Sequence, residues 1–364
     1  MKLFFHSFVF GCILGCAAIA RETEIHRAEP VTPITTSLPQ EQPLGINDIA
    51  RFIAGLHPTG SSSLTEWAQT PEWNAFSQSI SESWQVFEEN RLEQIRFWRI
   101  SNMPDLNPST VFYPFSGPDY IHAQAFFPNA TTYILCGLEP TGTIPLLQKL
   151  QPLSSTLGWM EISMKTVMEA GYFITKDMEM DLKRSSLQGV VPVFCFMLAR
   201  NGDRIVSIQS DSKHAEIRFL APGDSRVRTL HYFSLNLRND GLRKGNVFLA
   251  FLKAARPDIG YLKSASYLLH ENDFSAIRDT LLTQCRTIVQ DDSGIPLHCF
   301  DPARWRFRNF GVYETPLDIF KKYNQPDLAE LYAKLPAPLL PFGVGYHWNP
   351  KTANLMVFIA SGDR

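Results

Sequence analysis

The fold is decided by the stretch Val111–Gly142, VFYPFSGPDYIHAQAFFPNATTYILCGLEPTG. Its apolar run from Val111 to Phe115 predicts a strand, and Thr131 to Leu138, rich in β-branched and aromatic residues, predicts another. Between them, Asp119 to Phe127 predicts a short helix that follows a sharp turn at Ser116-Gly117. The order strand, turn, helix, strand is typical of an α/β sheet.

The same alternation continues toward the C-terminus. Leu147 to Glu179 predicts helix, interrupted near Gly158 and Gly171. Asn201-Gly202 predicts a hairpin between two apolar runs, Val190 to Ala199 and Arg204 to Gln209. Further predicted strands are Glu216 to Leu220, Thr229 to Leu237, Tyr261 to Leu268 and Thr287 to Gln290, and further predicted helices are Asn246 to Ala255 and Phe274 to Cys285.

The last segment, FGVGYHWNPKTANLMVFIAS, has Asn349-Pro350 between two apolar runs and predicts a final hairpin. Residues 111–364 are therefore expected to form one α/β domain. We expect a mixed, largely Rossmann-like sheet with helices on both faces and antiparallel hairpin additions.

Residues 46–110 predict a helical segment that packs on this domain. Thr70 suits a helix N-cap, Pro71 the first helical position and Glu72 the positive end of the helix dipole. Large apolar side chains then recur mostly at steps of three and four residues, which predicts a buried stripe. Its members are Trp73, Phe76, Ile80, Trp84, Phe87, Ile95 and Trp98.

The N-terminus predicts export. Lys2 is followed by an apolar run to Ala20, which ends in the small-x-small pattern Ala18-Ile19-Ala20, so residues 1–20 are predicted to be a signal peptide. Residues 21–45 are rich in proline and predict a flexible leader. An alternative is a lipobox that ends at Cys16, which would be lipidated and would anchor the chain in the membrane. Both alternatives place the protein in the periplasm or cell envelope.

Composition and motifs exclude several classes of function. The formal net charge is −2 and no run of Lys or Arg occurs, so we expect no nucleic-acid partner. The chain has no CxxC, HExxH or HxxxH motif, and we expect neither a metal site nor a bound cofactor. Four cysteines follow the signal peptide and allow three disulfide pairings: Cys136, Cys195, Cys285 and Cys299.

Candidate site residues follow the predicted strands. Ser116 and Gly117 follow the first strand, Glu139 closes the second, and Asp291 and Asp292 follow a later one. Because the carboxyl ends of the strands build the binding crevice of an open α/β sheet, these residues are expected to meet at one edge. Side-chain capping within a turn is the simpler interpretation of each, with Ser116 or Asp119 capping the helix that follows.

Ser116 is also a candidate nucleophile. A serine between a strand and a helix has its hydroxyl exposed beside helix N–H groups that can stabilise an oxyanion. However, prolines occupy positions 114 and 118, where the nucleophile-elbow motif has glycines, and proline does not easily adopt the strained elbow conformation. The prolines therefore make Ser116 a weak candidate, and the carboxyls of Asp119, Asp291 and Asp292 are the other catalytic candidates.

The turn at Ser116-Gly117 and the acid Glu139 resemble the first half of a Rossmann unit in S-adenosylmethionine methyltransferases. That resemblance implies a cofactor at Gly117 and ribose hydroxyls on Glu139. The turn here has one glycine and a proline where the family has a glycine-rich loop. A second resemblance, carried by YPFSGPD, QDDSGIP and LPFGVGY, is to a group of uncharacterised bacterial exported proteins, and it implies export but no catalytic residue.

Three functions remain open from the sequence. The first is an exported domain that binds a small molecule or an envelope partner at the strand carboxyl edge. The second is a hydrolase that uses Ser116 or a carboxylate at that edge. The third is a degenerate methyltransferase-like protein.

Overall fold

The computed structural model describes residues 45–60, 62–144, 152–170, 189–244, 246–335 and 337–361. The predicted signal peptide, nearly all of the leader and parts of the predicted helical stretch Leu147–Glu179 lie outside these residues.

The described residues form one nine-stranded sheet with the order β3-β4-β5-β2-β1-β6-β7-β9-β8. Its strands are β1 (Thr110–Tyr113), β2 (Thr132–Gly137), β3 (Arg204–Ser210), β4 (His214–Leu220), β5 (Val227–Ser234), β6 (Ile259–Leu262), β7 (Thr287–Gln290), β8 (Trp305–Gly311) and β9 (Asn354–Ala360).

The centre of this sheet confirms the Rossmann-like prediction. Strands β5, β2, β1, β6 and β7 are mutually parallel neighbours. Counted along the chain, these five stand in the order third, second, first, fourth, fifth, as in a Rossmann sheet. Antiparallel strands extend both sides, β4 and β3 next to β5, and β9 and β8 next to β7.

Helices cover both faces. They are α1 (Ile46–Ile53), α2 (Ser62–Trp67), α3 (Pro71–Phe87), α4 (Glu93–Asn102), α5 (Tyr120–Phe126), α6 (Leu153–Ala170), α7 (Val191–Arg200), α8 (Asn239–Lys244), α9 (Asn246–Ala255), α10 (Ser275–Gln284) and α11 (Pro326–Lys334). Successive residues of a strand face opposite sides of the sheet. Val111 and Tyr113 of β1 accordingly pack into one apolar core with α1 to α7, and Phe112 packs into a second with α8 to α11.

The predicted apolar stripe at residues 46–110 is confirmed as a buried face. All its members, from Trp73 to Trp98, are buried in the first of these cores. The Thr70 hydroxyl accepts a hydrogen bond from the N–H of Trp73 at 3.3 Å, as expected of an N-cap. A π-helical turn, Glu88–Leu92, joins α3 to α4 and rotates the residues that follow it around the helix.

Two predicted elements between residues 190 and 220 are wrong. Val190 to Ala199, read as a strand, is the helix α7, and Asn201-Gly202 joins this helix to β3 rather than forming a hairpin. Every residue from Val191 to Ala199 is buried, so the segment has no polar face to reveal a helical period. The observed hairpins join β3 to β4 and β4 to β5.

Three boundaries also differ from prediction. The C-terminal segment forms no long hairpin, because β9 inserts between β7 and β8 instead. The strand predicted over Tyr261 to Leu268 ends at Leu262. Helix α6 continues through Gly158. Within the part of the chain that the structure describes, no helix has both the length and the apolarity needed to cross a bilayer.

Candidate functional site

A cleft of about 620 Å³ opens at the carboxyl ends of the central strands. It lies where the strand order reverses between β1 and β6, which is the position at which open α/β sheets bind ligands. Residues after four strands line it: Gly117 after β1, Leu138 and Glu139 after β2, Leu235 to Arg238 after β5, and Ser264 to Ser266 after β6.

The turn after β1 is bonded to the neighbouring strand. The Ser116 hydroxyl donates to the carbonyls of Gly117 at 3.0 Å and Cys136 at 3.2 Å, and it accepts from the Cys136 N–H at 3.2 Å. Ser116 is only 5% exposed. These bonds show that Ser116 stabilises the turn and does not have the geometry of a nucleophile. Its hydroxyl bonds the turn after β1 to β2 and does not cap α5.

Glu139 forms part of the cleft wall beneath this turn. Its carboxylate accepts a hydrogen bond from the Tyr232 hydroxyl of β5 at 3.1 Å. A Cβ atom on Gly117, which has φ +52°, would lie 3.2 Å from Glu139 Oε1. The turn and the carboxylate are therefore packed directly against each other, and Glu139 is 1% exposed.

The loop after β6 has a strained backbone. Ser264, Ser266 and Tyr267 have φ values of 55°, 52° and 55°, in the left-handed region that residues with a Cβ rarely adopt. Hydrogen bonds hold this loop in place: Tyr346 donates to the Ser264 carbonyl at 3.0 Å, and its hydroxyl lies 2.6 Å from that of Ser266. Strain of this kind persists where the surroundings enforce it, and it clusters at binding sites.

A buried ion pair lies behind the cleft. The Nζ atom of Lys263, directly after β6, is 2.6 Å from Asp119 Oδ2, and both side chains are almost fully buried. Asp119 also accepts from the Tyr113 hydroxyl at 2.9 Å and lies 2.7 Å from His122 Nδ1. Asp119 precedes α5 but makes no side-chain cap bond to it, so the predicted capping role is wrong.

The charges of this group are set by burial and by the pairing. Burial alone raises the pKa of Asp119, but His122 and Lys263 together outweigh it and hold the pKa at about 2. Burial lowers the pKa of His122 to about 4, against the opposing effect of Asp119. Because His122 is neutral at neutral pH, Lys263 supplies the charge that compensates Asp119 there.

Asp291 and Asp292 support the strained loop from behind. Asp291 accepts from the Ser264 N–H at 2.9 Å, and burial together with the adjacent Asp292 raises its pKa to about 6. Asp292 accepts from the Asn354 amide at 3.0 Å and lies 3.3 Å from His347 Nε2. Both aspartates are almost fully buried, and neither is among the residues that line the cleft.

The predicted edge therefore forms, with a division of roles that the sequence did not reveal. Gly117 and Glu139 line the cleft, whereas Ser116, Asp119, Asp291 and Asp292 support its walls. Sequence reasoning missed Lys263, Ser264 and Tyr346. One sequence feature could have located this loop. The apolar strand is followed by a charged residue at Lys263, which marks the strand end earlier than the predicted Leu268.

The residues of the turn do not fit S-adenosylmethionine held in the manner of the methyltransferases. The Gly117 N–H donates to the Cys136 carbonyl at 3.2 Å, and Pro118 has no N–H, so this turn offers few donors to a ligand. The Glu139 carboxylate is already bonded by Tyr232. We therefore assign no methyl-transfer chemistry to the cleft.

The described residues contain no group of three or more His, Cys, Asp or Glu arranged to hold a metal ion. Cys136, Cys195, Cys285 and Cys299 are all free thiols. Comparison of the chain with protein-family models, with curated proteins and with solved structures finds no match. The class of protein that fold and site define is accordingly a Rossmann-like α/β domain with a cleft at its switch point.

Proposed function

We propose that this protein binds a small organic molecule in the cleft at the switch point of its sheet. The observation that carries the proposal is the position of the cleft, at the carboxyl ends of β1, β2, β5 and β6. Its volume of about 620 Å³ is typical of sites for small ligands and cofactors.

The lining indicates the kind of molecule. Phe115, Leu237 and Phe274 contribute apolar surface, and Leu138 and Ile319 at its edge are 63% and 79% exposed. Polar groups are few and come from the strand-end loops: Glu139, Asn236, Arg238, Ser264, Ser266 and Tyr346. A ligand with an apolar body and a few hydroxyl or amide groups matches this distribution, because scattered polar groups in an apolar pocket fix orientation.

We also propose that binding takes place outside the cytoplasm, in the periplasm or cell envelope. The support is the N-terminal sequence, with its apolar run and the Ala18-Ile19-Ala20 site, together with the resemblance to bacterial exported proteins. The ligand is then a molecule of the envelope or the surrounding medium.

The test is recovery of the ligand with the protein. The full-length chain is expressed in a bacterial host, purified under native conditions and denatured, and released small molecules are identified by mass spectrometry. Leu138→Trp places a bulky side chain at the edge of the cleft and should abolish recovery. Leu339→Trp is the matched control, since Leu339 is 61% exposed and does not line the cleft. Equal recovery from both variants contradicts the proposal.

A hydrolase is the second candidate, with Ser264 rather than Ser116 as its nucleophile. Ser264 lines the cleft and has the strained φ of 55°, and its hydroxyl, which is buried, has no hydrogen-bond partner among the described residues. No described histidine contacts that hydroxyl, which ranks this function below binding. Labelling by a fluorophosphonate that is lost in Ser264→Ala and kept in Ser116→Ala supports the hydrolase, and absence of labelling contradicts it.

A further inference from the structure

A second cavity, of about 750 Å³, lies away from the cleft and shares none of its lining residues. Its walls come from α3, the π-helical turn, the end of α6 and the segment before β9. Its lining includes Phe87, Arg91, Val86, Trp348, Glu82 and Glu169.

Arg91 is the central feature of this cavity. The guanidinium is half-buried in the wall, yet it makes no hydrogen bond or ion pair with any residue in the described ranges. Burial lowers the pKa of Arg91, and the nearby Asp119 opposes that shift. Asp119 is paired with Lys263 at 2.6 Å, and no carboxylate of the described residues forms an ion pair with Arg91.

The backbone around Arg91 explains the position of its side chain. Arg91 belongs to the π-helical turn Glu88–Leu92, which interrupts two regular helices. Such turns are rare in proteins, and those that occur are often found at functional sites. The extra residue changes the direction of the side chains around it. An arginine that is half-buried without a partner is costly, and an anionic ligand removes the cost by accepting its forked N–H groups.

The rest of the lining restricts the anion. Phe87 is buried against the His122 ring at 5.6 Å, and Trp348 and Val86 are 66% and 59% exposed at the same cavity. These side chains provide aromatic and apolar surface for the body of a ligand. Glu82 and Glu169 are exposed and repel the more highly charged phosphate more strongly than a singly charged carboxylate.

We propose that this cavity is a second binding site, specific for small organic carboxylates, with Arg91 holding the carboxylate and Trp348 contacting the apolar body. The site goes beyond the function proposed for the cleft and is separate from it. No covalent step is involved.

The experiment uses phenylacetate, phenethylamine and inorganic phosphate as probes of the full chain. Phenylacetate and phenethylamine share an aromatic body and differ in charge. Binding is measured by calorimetry and by the change in tryptophan fluorescence. Phenylacetate should bind, and the other two should not. The proposal is overturned if phenethylamine binds with equal affinity or if phosphate binds more tightly. It is also overturned if phenylacetate does not bind at 10 mM, a concentration about tenfold above a weak millimolar dissociation constant.

Variants locate the site. Arg91→Gln should weaken phenylacetate binding by about tenfold or more, because a hydrogen bond to a charged group is lost. Arg306→Gln, at an exposed position on β8, removes the same charge elsewhere and should leave the affinity unchanged. Leu138→Trp in the cleft should also leave it unchanged, which separates this site from the proposed function.

Two changes at Trp348 keep the test informative if Arg91→Gln fails to fold. Trp348→Phe should remove the fluorescence change while calorimetric binding persists. Trp348→Ala, at a mostly exposed position, should weaken binding. Full affinity in Trp348→Ala, or an unchanged affinity in a folded Arg91→Gln, overturns the proposal.

Discussion

Lys263 supports the cleft from behind without lining it. Its ammonium group is almost fully buried and lies 2.6 Å from the Asp119 carboxylate, directly before the strained Ser264. Burying two charges is costly, and their attraction recovers that cost only while both are present. The pair therefore joins the end of β6 to the start of α5, and it supports the loop that lines the cleft.

Lys263→Met should lower the free energy of unfolding by about 3–5 kcal/mol, because it leaves the Asp119 carboxylate buried without its counterion. Urea denaturation followed by circular dichroism measures the change. Lys322→Met is the matched control, since Lys322 pairs with Glu271 at an exposed position and should change stability little. Equal effects of the two substitutions would show that the buried pair is not structural.

Asp291 gives the fold a dependence on pH of identifiable sign. Its pKa is raised to about 6 from a usual value near 4, mainly by burial. Because the pKa of Asp291 is raised in the folded state, its carboxyl contributes to the free energy of unfolding in full below pH 4. That contribution is lost as the pH rises through 6.

Asp291→Asn removes this loss. The unfolding free energy of Asp291→Asn, relative to the natural chain, should therefore rise by roughly 1–3 kcal/mol between pH 4 and pH 7. Asp279→Asn, at an exposed position of α10, controls for removal of one carboxylate from the chain. A difference that stays constant or falls over this range for Asp291→Asn would refute the assignment.

At the scale of elements, the loop after β6 is the unusual one. Three residues, Ser264, Ser266 and Tyr267, hold left-handed conformations although none is glycine. Two hydrogen bonds hold the backbone of Ser264 in this loop: Tyr346 donates to its carbonyl, and its N–H donates to Asp291. The sequence contains no signal for this, because positive φ is anticipated at glycine or asparagine, and the predicted strand was extended through the loop.

Ser264→Gly should stabilise the fold and impair binding. The substitution relieves backbone strain of about 1–2 kcal/mol and loses about 0.5–1 kcal/mol to the flexibility of glycine, so a gain of up to about 1.5 kcal/mol is expected. Thermal unfolding measures it, and recovery of the bound molecule should fall because the loop is less restrained. Ser212→Gly, in the exposed turn between β3 and β4, should be neutral or destabilising. Lower stability in Ser264→Gly contradicts the strain.

Helix α3, which has an exposed polar face, was predictable from the sequence, whereas the fully buried helix α7 was not. Helix α3 was found from its apolar stripe and its Thr70 cap, which the structure confirms. The apolar composition of Val191 to Ala199 predicts a strand where the structure has helix α7, because every residue is buried and no polar face marks the helical period. The sequence predicts β9 as part of a hairpin, because proximity along the chain does not reveal its insertion between β7 and β8.

At the scale of the molecule, the fold class and the edge that forms the cleft followed from the alternation of strands and helices. The order of strands places Gly117, Glu139 and Ser264 around one opening. What the sequence could not provide was which strand-end residues face the opening and which lie behind it, because that depends on side-chain direction in a loop. Asp291 and Asp292 were accordingly assigned to the correct edge but not to their supporting role.

Export is a prediction for the whole chain. The mature protein should be recovered from the periplasm with Arg21 as its first residue, because cleavage follows Ala18-Ile19-Ala20. Cell fractionation followed by intact-mass analysis measures the location and the mass of the mature chain. Cys16→Ser should leave both unchanged. A mature chain that starts at a lipid-modified Cys16 would favour the alternative anchor. Cytoplasmic protein that retains residues 1–20 would contradict export.

The most direct test of the central claim is a crystal structure, at a resolution sufficient to identify a small molecule, of the protein as purified from an exporting bacterial host. We expect electron density for an organic ligand between Gly117, Glu139 and the Ser264 loop, in contact with the apolar side chains of the cleft. A cleft that is closed by its own side chains, or a ligand bound only elsewhere on the molecule, would contradict the proposed function.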